Sequence, residues 1–272
     1  MHKSKLLLIF LILALLSCSD KNPDTVESKG NIPILVYDSE LLETLTLDKK
    51  NIRIDTPKEF SYWSQHFQNP KNNIGNILTS ATFDNRKKIN SGKDGPLNII
   101  QPVYFQNSIC IISNNGFLEC YDTINDKLSF KTDIKPSGIN DYQIVRGGLA
   151  YFDGQLVSVD AYGQIFLIDA LNGNKIWEVS IGFPILSPPL IYRNYIYFIS
   201  SDNRIFCLSL EDGSVEWSFQ TTSETRKNLF TASPVASENL LIVPFSNGDL
   251  ISFIYDTGRP VWSESLSKVT MI

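Results

Sequence analysis

Asp169-Ala170-Leu171-Asn172-Gly173-Asn174-Lys175-Ile176-Trp177 returns as Ser209-Leu210-Glu211-Asp212-Gly213-Ser214-Val215-Glu216-Trp217 and as Ile254-Tyr255-Asp256-Thr257-Gly258-Arg259-Pro260-Val261-Trp262. The shared core is Gly-x-x-x-Trp. A degenerate first copy, Asp122 to Phe130, carries Asp126 for the glycine and Phe130 for the tryptophan. The aromatic residues stand 47, 40 and 45 positions apart, the period of a four-stranded propeller blade. Working outward from the third copy, Leu190 to Tyr192, Tyr195 to Ile199, Ile205 to Leu208 and Val215 to Phe219 are short apolar runs. Turn residues separate them: Arg193-Asn194, Ser201-Asp202-Asn203 and Glu211-Asp212-Gly213. The other copies keep the plan, with turns at Asp153-Gly154, Tyr162-Gly163, Asn172-Gly173, Asn247-Gly248 and Thr257-Gly258. The pattern predicts an all-β chain, a β-propeller of four-stranded antiparallel blades with about four blades between residues 101 and 264.

The composition supports a packed domain. With 43% hydrophobic and 11% aromatic residues, 272 residues bury a sizeable core. Lys and Arg total 24 against 29 Asp and Glu, for a net charge of −5. An acidic chain lacks the positive footprint that nucleic-acid phosphates demand. Arg86-Lys87-Lys88 with Lys93 is the one basic cluster, and its Asn, Ser and Gly neighbours read as a solvated loop.

The amino terminus reads as an export signal. Lys3 and Lys5 precede an apolar run from Leu6 to Leu16, too short for the roughly 20 residues a spanning helix needs. Leu15-Leu16-Ser17-Cys18 resembles the lipobox of bacterial lipoproteins. That resemblance implies removal of residues 1–17, acylation of Cys18, and, with Ser19 next, no signal for retention at the inner membrane. Residues 18–30 read as a flexible tether, residues 31–100 as a segment leading into the blades with room for one outer strand, and residues 101–272 as the propeller.

Three further cysteines remain. Cys110 and Cys120 flank the turn Asn114-Asn115-Gly116, where they can face each other across a hairpin if the register allows. The repeat offers Cys120 a simpler role. Cys120, Leu167, Cys207 and Ser252 all stand six positions before the glycine position, and three of the four are small, so Cys120 and Cys207 read as small packed residues.

Catalytic chemistry finds little footing. His66 is the one histidine outside the signal, set among aromatics in Tyr62-Trp63-Ser64-Gln65-His66-Phe67, which excludes a multi-histidine metal site and favours packing. No Cys-x-x-Cys, Walker loop or dinucleotide glycine motif occurs, and no catalytic residue, metal site or cofactor is assigned. Asp122 and Asp169 share one repeat position and read as turn residues.

The units resemble the repeat of pyrroloquinoline-quinone (PQQ) proteins, Ala-x-Asp-x-x-Thr-Gly-x-x-x-Trp, in which the tryptophan docks against the next blade near the small residue. By that resemblance Trp177, Trp217 and Trp262 are blade-docking residues. Quinoprotein dehydrogenases share the repeat, but they carry adjacent cysteines against the cofactor, and none occur here. A second resemblance is more specific. Tyr62-Trp63-Ser64-Gln65, Asn69-Pro70, Asn73-Ile74-Gly75, Arg146 to Tyr151, Ala232 to Val235, Pro244 to Leu250 and Thr257 to Trp262 resemble phrases of the BamB-type assembly lipoproteins.

This family resemblance implies eight blades, so the four copies here are expected to form an incomplete ring, cut short on the C-terminal side. It also implies a non-enzymatic scaffold on the periplasmic side of the outer membrane. Such a scaffold binds the POTRA domains of the assembly channel BamA and assists unfolded outer-membrane proteins. Family contacts come from inter-blade loops, which here points to Thr221 to Thr231 and to Arg226, Leu229 and Phe230 as partner-binding residues. Leu229 and Phe230 tucked beneath the propeller is the competing reading. A quinoprotein enzyme and an anchored propeller for another ligand are the alternative functions.

Overall fold

The computed structural model describes residues 54–78, 100–136, 147–222 and 232–266. Every regular element among them is a β-strand. Sixteen strands form four antiparallel sheets of four, each built from consecutive strands. The first blade is β1 (Val103–Phe105), β2 (Ser108–Ile112), β3 (Phe117–Asp122) and β4 (Lys127–Asp133). The second is β5 (Gly147–Phe152), β6 (Gln155–Asp160), β7 (Gln164–Asp169) and β8 (Lys175–Ser180). The third is β9 (Leu190–Tyr192), β10 (Tyr195–Ile199), β11 (Arg204–Ser209) and β12 (Val215–Gln220). The fourth is β13 (Val235–Ser237), β14 (Leu240–Pro244), β15 (Asp249–Ile254) and β16 (Pro260–Ser265). This is the predicted propeller architecture, and the strands of the third blade fall within a residue of the apolar runs read from the sequence. The four sheets do not close into a ring among the described residues.

Burial explains the order of strands within a blade. The second and third strands are buried almost throughout, as in Leu156 to Asp160 and Ile205 to Leu208, because neighbouring blades cover both faces. The fourth strand alternates and is mostly exposed, as in Lys175–Ser180, since it lies at the outer rim. Three apolar cores result, one between each pair of successive blades. Tight hairpins join the inner strands, and Arg193 and Asn194 both take positive φ (48° and 66°), the primed turn that matches strand twist.

Each blade carries the same irregularity at one place. The pairing between third and fourth strands slips after Cys120, Leu167, Cys207 and Ser252. Those residues pair directly with Phe130, Trp177, Trp217 and Trp262. The small residue of the repeat is thus the cross-strand partner of its own blade's aromatic, and the bulge beside it turns the ring outward. What the ring covers in the next blade is the glycine turn. A Cβ added at Gly258 would lie 2.5 Å from the Trp217 ring, one at Gly213 3.1 Å from Trp177, and one at Gly173 closer still to Phe130. Only glycine gives the ring that approach. The indole N–H groups complete the joint: Trp177 Nε1 donates to the Leu210 carbonyl (3.1 Å) and Trp217 Nε1 to the Tyr255 carbonyl (3.0 Å). Tyr197 Oη donates to that same Tyr255 carbonyl from the third blade (3.0 Å).

Trp262 is 41% exposed, and no sheet follows β16 among the described residues. One expectation needs correction. Cys120, read as a small packed residue, is bonded to Cys110 in a disulfide, because the β2–β3 register sets the two directly opposite each other in the first core. Cys207 is a buried free thiol.

The leading segment forms no outer strand among its described residues. It follows the innermost strands instead. Trp63 exchanges backbone hydrogen bonds with Tyr104 of β1 (2.7 and 2.9 Å), and the Ser64 carbonyl accepts from Tyr151 N of β5 (2.6 Å). Gln65 Oε1 accepts from Ile191 N of β9 (3.1 Å), and the Pro70 carbonyl from Ala236 N of β13 (2.8 Å). One short strap therefore satisfies a free amide on the inner edge of every blade, edges that otherwise need water or a partner strand.

Candidate functional site

Strand direction sorts the loops of each blade to two ends. The β10–β11 and β14–β15 turns lie at the end where the chain passes from blade to blade, and there Thr221 and Thr222 open the segment that the sequence marks as partner-binding. Residues 223–231, with Arg226, Leu229 and Phe230, lie outside the described residues. Both flanks of that loop are held.

Asn203, 3% exposed, occupies the β10–β11 turn with a φ of 61°. Its Nδ2 donates to the Thr222 carbonyl (3.2 Å), while its Oδ1 accepts from the backbone N and the hydroxyl of Ser246 (3.0 Å each). Asn247 Nδ2 faces Asp249 Oδ2 (2.6 Å), Thr221 Oγ1 (3.2 Å) and the Thr222 carbonyl (3.4 Å). Two buried amides thus clamp the start of the loop to the third and fourth blades together. At the far flank, Asn72 Nδ2 of the strap reaches the carbonyls of Ser233 (3.5 Å) and Pro234 (3.4 Å).

Asn203 and Asn247 were not singled out in the sequence. A signal was there: Asn203 stands where the other three blades have Gly116, Gly163 and Gly248, so a left-handed turn position keeps a side chain. The opposite end of the blades carries a different surface. Arg193 lies over the rings of Tyr192 (5.4 Å) and Tyr255 (5.1 Å), with Tyr195 beside Tyr255 (6.0 Å). Half-buried tyrosines under an exposed arginine are a composition enriched at protein interfaces.

The candidate chemical groups fall apart in space or are otherwise engaged. Among the described residues no three His, Cys, Asp or Glu side chains gather to hold a metal. His66 is half-buried, stacks edge-on against Phe67 (4.2 Å), and burial holds its imidazole below the usual value against an opposing hydrogen bond with Gln101. Asp122 Oδ1 accepts from the amides of Ile124 (2.8 Å) and Asn125 (3.0 Å), and Asp169 Oδ1 from Leu171 (2.7 Å) and Asn172 (3.3 Å). Hydrogen bonds from Asn125 hold the Asp122 carboxyl below its ordinary range. Burial pushes the Cys207 thiol up to about 12, with the Tyr197 hydrogen bond opposing, so it is a poor nucleophile.

Four-stranded blades joined aromatic-to-glycine, at a period near 44 residues, define a propeller of PQQ-like repeats. The family described as outer membrane protein assembly factor BamB matches residues 131–271, just over half of the chain. The chain belongs to that family. BamB of Yersinia pestis is 18% identical over 186 residues, covering 67% of this chain and 47% of that protein. BamB of Burkholderia pseudomallei is 22% identical over 178 residues, covering 65% and 44%. The chain thus spans just under half the length of these relatives. The solved BamB of Moraxella catarrhalis superposes with a TM-score of 0.55 at 21% identity, over 61% of this chain and 48% of that one. A quinohemoprotein alcohol dehydrogenase of Pseudomonas putida HK5 superposes with a TM-score of 0.60 at 14% identity, over 76% and 40%. At such identities these two share the fold alone. A quinoprotein ethanol dehydrogenase of Pseudomonas putida is 24% identical over 51% of this chain and 26% of its own length.

Proposed function

We propose that this protein is a non-enzymatic scaffold lipoprotein of the machinery that assembles β-barrels in the outer membrane. The membership in the BamB family carries the reading. Cys18 is the acylated residue that fixes the chain to the outer membrane, facing the periplasm; two or more acyl chains hold a protein there stably, at about 0.8 kcal/mol per buried CH₂. The propeller then acts by contact, holding the POTRA domains of BamA and assisting unfolded outer-membrane proteins. Arg226, Leu229 and Phe230 engage the partner from the loop clamped by Asn203 and Asn247. A single histidine beyond the signal and unactivated thiol chemistry support contact over turnover.

Co-purification from membranes tests this. The wild type is expected to bring down the POTRA region of the channel, and deleting its gene is expected to lower outer-membrane barrel levels. Arg226→Glu with Leu229→Ala and Phe230→Ala should weaken capture while the fold stays intact, since loop side chains add little core energy. Normal capture by that variant discards the three residues. No capture by the wild type, with quinone-dependent alcohol oxidation in its place, overturns the scaffold and restores the dehydrogenase alternative.

A further inference from the structure

The disulfide occupies a repeat position that the other three blades fill without one. Cys110 and Cys120 pair across β2 and β3 where the later blades pair Val157 with Leu167, Tyr197 with Cys207 and Ile242 with Ser252. The blade therefore needs only two side chains that fit each other there. Cys110 and Cys120 are 0% and 1% exposed, in the core that Leu149, Leu156, Phe166 and Ile168 of the second blade complete. Since neither sulfur reaches solvent, a thiolate can attack the bond only when the first and second blades part.

The joint that hides this bond also differs from the other two. Phe130 stands in place of the tryptophan, so no indole N–H crosses it as Trp177 crosses to Leu210 and Trp217 to Tyr255. Thr132 Oγ1 donates to the Gly173 carbonyl instead (2.6 Å), and the Phe105 and Tyr151 rings stack across the joint with centroids 3.8 Å apart. The disulfide adds a constraint of its own, because it ties together the two strands of the first blade that meet this core. Reduced, the two thiols need more room than the bonded pair, in packing where added volume forces side chains and backbone to shift.

We propose that Cys110 and Cys120 form a redox latch on the joint between the first and second blades. To close it, the two thiols pass two electrons and two protons to a disulfide donor, which leaves as a dithiol while one S–S bond forms in the blade. A dithiol reductant reverses the step. The latched joint shields its own bond from reductants, whereas the reduced joint loosens and presents both thiols to the donor. The joint between the third and fourth blades, with Tyr197–Cys207 and Ile242–Ser252 at the matching positions, is the same in both states. Cys207 takes no part, being a buried free thiol opposite Tyr197. The latch does not depend on the scaffold reading.

Hydrogen exchange read by mass spectrometry on the 272-residue chain, in mild detergent that keeps Leu6 to Leu16 dispersed, tests the latch. Refolding with oxidised glutathione gives the latched chain, and refolding with a phosphine reductant gives the reduced one. Amides of β3, β6 and β7 should exchange at least about tenfold faster in the reduced chain, while those of β14 and β15 exchange alike in both. Cys110→Val with Cys120→Leu, which copies the second blade's pair, should exchange identically with and without the phosphine. Reductant added to the folded, latched chain should break the bond at least about tenfold more slowly than in denaturant. Equal exchange of β3, β6 and β7 in the two wild-type states overturns the proposal. So does a reduced chain that exchanges faster in all four blades alike or fails to fold, a phosphine effect that survives in the Val/Leu variant, or a bond reduced as fast in the folded chain as in denaturant.

Discussion

At the scale of residues, burial decides which groups titrate. His66 has its imidazole held below 6.5 by burial. The unfolded chain therefore takes up a proton before the folded one does. Stability from this site is full above about pH 6.5 and is lost as pH falls through the lowered folded value. Urea denaturation of wild type and His66→Gln, at about pH 7.5 and about pH 5.5, should show a larger loss on acidification for the wild type. Equal losses would mean that His66 is solvated in the folded state. The remaining residue-scale surprise is Cys110–Cys120, whose pairing depends on cross-strand register, which a list of apolar runs does not fix.

At the scale of elements, the joint between blades makes graded predictions. Trp177→Ala and Trp217→Ala each remove a packed indole and its hydrogen bond, at a cost of about 3–5 kcal/mol. Trp262→Ala, exposed as it is, should cost well under half of that. Gly258→Ala should destabilise more than Gly213→Ala, since its Cβ meets the Trp217 ring at 2.5 Å against 3.1 Å for the other. Thermal melts of the five variants check the order, and a uniform response would refute the directional joint. The strands and period were legible because every blade spells the same apolar runs and turns. The bulge beside Cys120, Leu167, Cys207 and Ser252 was not, because one extra residue in an outer strand leaves no mark on apolar spacing. The strap was also hidden: Trp63, Ser64, Gln65 and Pro70 act mainly through backbone groups and one amide, which side-chain pattern does not report.

At the scale of the whole molecule, an inner-edge strap ties the four blades together, and two buried amides fix Thr221 and Thr222 to the third and fourth blades. The sequence marked the loop Thr221 to Thr231, of which Thr221 and Thr222 fall among the described residues. Its anchors were not marked, since Asn203 and Asn247 meet it only after two blades have folded side by side. These anchors give the central claim its sharpest test, a titration of the purified chain against the immobilised periplasmic POTRA region. Saturable binding by the wild type is predicted, with affinity lowered at least about tenfold, near 1.4 kcal/mol, in Asn203→Ala/Asn247→Ala, which frees the loop stem without touching Arg226, Leu229 or Phe230. Absence of wild-type binding across the accessible concentration range would contradict the scaffold account.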